Sequence, residues 1–332
     1  MLLNPAIIAL NSGSLLVTAF AFYALYTALR ILTHWNIQSG SELQLLLEKK
    51  TYLISTVFSY VLGFELFSLV LFIFTAEHMH DLFVGAMCAA GSLNANDYGY
   101  VALVVKIITF MICGVWMIVN HTDNQAHDYP LIRPKYKLLI LLTVMIALDT
   151  ILQIKYFMGL RTDVITSCCG IIFSGESQSL TGSAASLPTT ATMLVFYAAL
   201  LLTLRVGFSV VITGRGAALY GLLAGATTII SLAAVISFIS VYYYQLPTHH
   251  CPFCILQKDY SYIGYPLYLS LLLAGTTGMG TGVVESLKGP KSLAKVIPIL
   301  RKRFCLISLA GFLIFALIAS YPILFTDFVL NS

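Results

Sequence analysis

Eight long apolar runs dominate this sequence, at about 6–32, 51–76, 99–120, 137–159, 191–212, 217–245, 262–285 and 303–326. A helix needs about 20 apolar residues to cross the roughly 30 Å hydrocarbon core of a bilayer, and each run is long enough. The runs lack the two-residue alternation of barrel strands and exceed strand length. They therefore predict an all-α polytopic membrane bundle of eight spans rather than a β-barrel. Only 10% of the residues are charged, against about 25% in a soluble domain. So little charge cannot cover a surface in water, which argues against a soluble enzyme or a nucleic-acid partner and makes the lipid bilayer the expected surroundings. The first Lys or Arg is Arg30, so no basic stretch precedes the first run and a cleaved signal peptide is not expected.

The few basic residues orient the spans, because Lys and Arg near span ends stay in the cytoplasm. Lys49 and Lys50 precede the second span, and Arg133, Lys135 and Lys137 precede the fourth. Arg205 and Arg215 flank the turn after the fifth, and Lys288, Lys291, Lys295, Arg301, Lys302 and Arg303 precede the eighth. All four sites fall on one side. The other side carries Arg161 and Lys258 but also Glu77, Asp81, Asp97, Asp163, Glu176, Asp259 and Asp327. Both termini are therefore expected to be extracytoplasmic, which in a bacterium places the chain in the inner (plasma) membrane.

A polar loop rich in Ser, Gly and Thr splits the chain into a four-helix half at 1–165, a loop at 166–190 and a second four-helix half at 191–332. In each half an external connection precedes the third span. One ends Asp97-Tyr98-Gly99-Tyr100 and the other runs Asp259-Tyr260-Ser261-Tyr262. This parallel fits a tandem duplication, and equally a coincidence of tyrosines at the membrane boundary.

Topology sorts the seven cysteines. Cys113 and Cys305 lie in spans, where a thiol packs as a small apolar group. Cys88, Cys168, Cys169, Cys251 and Cys254 lie outside, on the oxidising side in a bacterium. Thiols there belong to disulfides, metal sites or redox cycles. The strongest signal is His249-His250-Cys251-Pro252-Phe253-Cys254, just before the seventh span. At a helix start, Cys251 would meet unpaired N–H groups and the positive end of the helix dipole, which stabilises a thiolate. A protonated His249 or His250 would act in the same direction. The short spacing favours redox exchange or metal ligation over a structural staple.

Cys251-Pro-Phe-Cys254-Ile-Leu-Gln257-Lys258, followed by Tyr265-Pro266, resembles the Cys-x-x-Cys-x-x-Gln-Arg and later Tyr-Pro pattern of the DsbB/BdbC-type quinone-linked disulfide oxidases. The vitamin K epoxide reductases share the general plan. The resemblance covers about 20 residues. It implies a four-helix bundle with the cysteine pair at the outer membrane surface beside a quinone. Gln257 and Lys258 would then be the quinone-side residues, Lys258 standing where the family has Arg and binding or polarising the quinone. No second cysteine pair follows the eighth span, so Cys88 with Cys168 or Cys169 would shuttle to an extracytoplasmic thiol protein.

A metal site competes with this reading. Glu77-His78-Met79-His80-Asp81 is followed by Met87-Cys88, and His, Met and Cys together suit copper, with zinc as the other candidate. His78, His80, His249 and His250 would be ligands, and the partner would be a metallochaperone. Cytoplasmic His121, Asp123, His127 and Asp128 are read as an ordinary solvated connection.

Glu65, Lys106 and Asp149 sit inside apolar runs, where an unpaired charge costs at least roughly 2.5 kcal/mol. They are expected to meet as a buried cluster, continued on one helix face by Gln153 and Tyr156. Such a track would carry protons or an ion, or simply join helices. Lys155 is expected to snorkel, and Gly278-x-x-x-Gly282 to admit a neighbouring helix.

Overall fold

A computed structural model describes residues 4–161, 166 and 186–328. Cys168 and Cys169 lie outside the described residues. Among the described residues, eight helices are long and apolar enough to cross a membrane: α1 Pro5–His34, α2 Glu42–His78, α3 Gly99–Asp123, α4 Ile132–Met158, α5 Thr189–Thr213, α6 Ala217–Tyr244, α7 Gly264–Ser286 and α8 Val296–Phe325. Among the described residues there is no strand. The protein is an all-α, integral multi-pass membrane protein.

Three helices begin earlier than the apolar runs. α2 starts at Glu42, α4 at Ile132 and α8 at Val296, so Lys49 and Lys50, the trio Arg133, Lys135 and Lys137, and Arg301, Lys302 and Arg303 are helical rather than looped. Hydropathy marks only the stretch in lipid, whereas Glu, Lys, Arg and Gln propagate a helix well in water. At the start of α1, Asn4 accepts from the Ala6 N–H at 2.9 Å and Pro5 takes the first position, where its missing N–H costs nothing. Between α5 and α6 the chain reverses through Gly214 and Gly216, whose φ values of +72° and +85° favour glycine.

The chain forms two compact units that do not divide at one point in the sequence. The first comprises Met1–Thr75, Asn96–Leu160 and Ser286–Leu300, and the second Ala76–Ala95, Arg161–Glu285 and Arg301–Ser332. In the first unit α1 and α3 both pack on α4. Ala21, Ala24 and Ala28 of α1 lie against a core that includes Phe58, Trp116 and Leu139, the small alanines letting backbones approach. This unit also corrects the expectation of a solvated connection after α3. His121, His127 and Asp128 are exposed, but Asp123 and Lys135 are both fully buried and form an ion pair. Asp123 also accepts from the Leu131 N–H at 2.8 Å, and Lys135 donates to Ser55 Oγ at 3.1 Å. Only pairing makes such burial tolerable.

In the second unit α5 packs on α6, and α6 crosses α7 at glycines. A Cβ added at Gly221 would lie 2.8 Å from the Gly282 Cα, so the small-residue spacing in α7 serves close packing. α6 contains a π-helical turn at Val235–Ile239 and ends at Gln245, whose φ is 55°.

Candidate functional site

The second unit gathers Cys88, Cys251 and Cys254, three of the five cysteines read as external. The segment after α2 turns through Gly85, at φ +88°, where an added Cβ would lie 2.5 Å from the Thr166 carbonyl oxygen. Thr166 also donates its N–H to Val84 O at 3.0 Å. Cys88 follows, capping the short helix Ala89–Leu93. One Glu77 oxygen accepts from the Ala89 N–H and the other from Gln257 Nε2, each at 2.7 Å. Gln257 Nε2 also donates to Met87 O at 2.9 Å. Glu77 therefore joins the backbone beside Cys88 to the segment that follows Cys254.

The Cys-Pro-Phe-Cys loop is held by two tyrosines. Tyr244 OH donates to Cys251 O at 2.6 Å and accepts from the Ile255 N–H at 2.9 Å. Tyr268 OH donates to Pro252 O at 2.5 Å. Within this frame Cys88 Sγ lies 3.4 Å from Cys251 Sγ, and the sulfurs of Cys88, Cys251 and Cys254 are all within 4.8 Å of one another. All three residues are buried. Sulfurs at such separations are placed for disulfide exchange or for sharing one soft metal ion.

Two expectations about thiolate stabilisation need correction. Cys254 opens only a three-residue turn, Cys254–Leu256, and a second short turn follows before α7 begins at Gly264. Cys251 is therefore not in the first turn of α7 but in the loop before it, which Tyr244 and Tyr268 hold. The second correction concerns the histidines. His249 Nε2 lies 3.4 Å from the sulfur of Cys254, the second cysteine of the motif. Burial pushes the His249 imidazole below its ordinary pKa, with Cys88 opposing and His250 reinforcing the shift, which disfavours the protonated form. His250 Nδ1 lies 3.1 Å from Ile236 O, in the π-helical turn of α6. A carbonyl can only accept, so Nδ1 carries the proton.

Of the other site residues, Lys258 is exposed and Gln257 is half-buried, its amide nitrogen committed to Glu77 and Met87. His78 is exposed, while His80 pairs with Asp81 at 3.2 Å. Among the described residues, only Cys88, Cys251 and Cys254 form a group close enough to hold a metal, and His78 and His80 are not part of it.

The first unit brings Glu65, Lys106 and Asp149 together. Lys106 Nζ is 2.6 Å from Asp149 Oδ2 and 3.9 Å from Glu65 Oε1. Gln153 continues the track toward α1, but Tyr156 packs its ring against Phe72 and Phe157. Lys155 lies 5.2 Å from the centre of the Tyr98 ring.

Compared with family models, curated proteins and solved structures, the chain matches none. The functional reading therefore stands on its own residues. Sequence reasoning missed Glu77, Tyr244 and Tyr268 as organisers of the thiol loops. Their partners are mostly backbone groups 7 to 16 residues away, which any side chain can meet and which leave no motif.

Proposed function

We propose that this protein is an integral-membrane thiol–disulfide oxidoreductase, acting on the extracytoplasmic face of a bacterial inner membrane and exchanging electrons with a membrane quinone. The observation that carries the reading is the 3.4 Å approach of Cys88 Sγ to Cys251 Sγ, with Cys254 in the same cluster. A Cys251–Cys254 disulfide attacked at Cys251 by the Cys88 thiolate gives a Cys88–Cys251 disulfide and releases Cys254 as a thiolate. That step exchanges one S–S bond for another with no net oxidation. Net transfer requires an extracytoplasmic thiol protein, whose two thiols exchange two electrons and two protons with the cluster. Cys88 is fully buried, so exchange with that protein takes either a relay through Cys168 or Cys169 or an opening of the segment around Cys88.

The quinone fits the residues in part. Lys258 is exposed and lies close before α7, so its ammonium is available to a quinone oxygen at the membrane boundary. Gln257 does not fit as a donor, because its nitrogen is already bonded to Glu77 and Met87. When bound, a quinone supplies a two-electron, two-proton acceptor, or a donor as the quinol.

One observation favours a second reading, a transporter or maturation factor for copper or zinc that meets a metallochaperone outside. Zn–S bonds of about 2.3 Å in a tetrahedron put sulfurs about 3.8 Å apart, and the three sulfurs here are within 4.8 Å, with His249 beside Cys254. A transporter of this kind would also need Glu65 or Asp149 for ion passage.

The deciding experiment uses full-length protein purified without added metal and titrated with quinone and quinol analogues. Differential alkylation follows Cys251 and Cys254 while metal content is measured. Redox change at that pair without metal is the expected result. No change, combined with stoichiometric copper or zinc, overturns the oxidoreductase reading in favour of the metal one.

A further inference from the structure

The first unit holds a buried charge imbalance that thiol chemistry does not use. Glu65, Lys106 and Asp149 are each at most 2% exposed, and they supply two carboxylates for one ammonium. Lys106 is already engaged, donating to Asp149 Oδ2 at 2.6 Å and to Ser68 Oγ at 3.3 Å, with its ammonium also 5.7 Å from the centre of the Phe72 ring. Among the described residues, neither Glu65 carboxyl oxygen nor Asp149 Oδ1 has a hydrogen-bond partner. If both carboxylates were ionised, one negative charge would stand uncompensated in the hydrocarbon layer, at a cost of at least roughly 2.5 kcal/mol. A single proton removes that charge and also provides the donor that the carboxyl pair lacks.

The surroundings give this site a direction. Gln153 lies one turn beyond Asp149 on α4, and its amide nitrogen donates to Asn11 Oδ1 and Ser14 Oγ of α1, each at 3.1 Å. Thr150 and Thr18 join the same two helices through a 2.8 Å bond. Asn11 is half-buried, so polar groups line the α1–α4 seam from the buried carboxyls toward the helix ends read as extracytoplasmic. In the opposite direction Phe58, Leu62 and Trp116 belong to an apolar core, with Phe58 edge-on to Trp116 at 5.2 Å between ring centres.

We propose that Glu65 and Asp149 form a proton-binding site, with Glu65 carrying the proton at neutral pH and exchanging it with the extracytoplasmic side along the α1–α4 seam. The charged and polar groups that face Glu65 are Lys106 of α3, Asp149 of α4 and Ser68 on its own helix, with the Cys113 thiol of α3 also buried beside the cluster. Binding is simple protonation, with the proton passing between water and a carboxylate and no electrons moving. The inference does not rest on the thiol reading, and either can fail alone.

Infrared spectroscopy of the full-length protein in lipid tests it. At neutral pH the protein should show a carboxylic-acid C=O band that shifts in D2O and shifts again when glutamate is labelled with 13C at the side-chain carboxyl. The band should be lost in Glu65→Gln, persist to higher pH in Lys106→Met and exchange its proton more slowly in Gln153→Leu. No protonated-glutamate band, or one retained in folded Glu65→Gln, overturns the proposal. So does a band that appears only when sodium and potassium are removed, because the occupant would then be a metal cation. Unchanged exchange in Gln153→Leu overturns the route along the seam. If Glu65→Gln does not fold, the label in the native protein and the pH shift in Lys106→Met still decide.

Discussion

Replacing Glu77 by Gln tests whether one carboxylate sets the spacing of the buried thiols. Glu77 accepts two hydrogen bonds of 2.7 Å, from the backbone N–H next to Cys88 and from the Gln257 side chain. Both are in the short range of charge-assisted bonds, each worth about 1.5–3 kcal/mol. Gln has nearly the same shape and keeps one acceptor oxygen, but it turns the other into an NH2 facing a donor. One bond is lost and one N–H donor is left facing another, a loss of about 2–3 kcal/mol for the aligned arrangement. That energy corresponds to roughly a 30- to 150-fold fall in the aligned population. The assay uses full-length protein carrying Cys254→Ser, reduced and then exposed to limiting oxidant. Peptide mapping without reductant follows formation of the Cys88–Cys251 disulfide. A rate close to that of the parent, in a variant that elutes as a folded species, would show that Glu77 does not set the approach.

Three further outcomes follow from the packing. Tyr244→Phe removes only the hydroxyl but leaves Cys251 O and the Ile255 N–H without that partner. The local cost is about 2 kcal/mol or more, so alkylation of Cys254 through local opening should speed up by roughly 30-fold, and an unchanged rate refutes the clamp. Asp123→Ala leaves Lys135 buried without its counter-charge and should destabilise the first unit by about 3–5 kcal/mol, whereas Asp123→Leu with Lys135→Met should recover most of the loss; thermal unfolding in detergent measures both. Gly221→Val forces a side chain against the α7 backbone, where even a Cβ would lie 2.8 Å from Gly282 Cα, and should lower the unfolding midpoint. The control is Gly63→Ala, which meets nothing within 4 Å and should be neutral or stabilising by up to about 1 kcal/mol. Equal effects of the two glycine variants would contradict the proposed crossing.

Hydropathy reports transfer into lipid, which is why the eight spans were legible while the helical entrances at Glu42, Ile132 and Val296 were not. The same limit explains Lys135. As one of a basic trio it reads as a topology marker, but its role is set by Asp123, whose position across the turn no local pattern announces. The Glu65–Lys106–Asp149 cluster was legible because an intramembrane charge must find a partner, and three such charges leave few arrangements. At the thiol site, cysteine type and side of the membrane identified Cys88, Cys251 and Cys254 as candidates. Their convergence depends on Glu77, Tyr244 and Tyr268 bonding to loop backbone groups, and because a backbone N–H or C=O is the same in every residue, the sequence carries no record of such bonds.

Burial constrains how a partner protein can exchange electrons with this cluster. Cys88 and Cys251 are 0% exposed and Cys254 is 7% exposed, whereas disulfide exchange needs direct access of one sulfur to another. Either the cysteines at 168 and 169 relay electrons from outside, or the segment around Cys88 opens to admit the partner's sulfur. The relay makes a clear demand. Replacing both Cys168 and Cys169 by Ala should abolish exchange with a dithiol protein while leaving quinone-linked oxidation and reduction of Cys251 and Cys254 intact. Opening makes the reverse demand, because the double variant should exchange with the partner at the native rate, and Glu77→Gln should accelerate that exchange by loosening the Cys88 segment. A relay instead passes its electrons through the internal Cys88–Cys251 step, which Glu77→Gln slows, so the two routes assign opposite signs to the Glu77 effect on partner exchange. Measuring partner exchange and internal disulfide formation on the same two variants separates them, and unchanged partner exchange in the Cys168/Cys169 double variant rules out the relay.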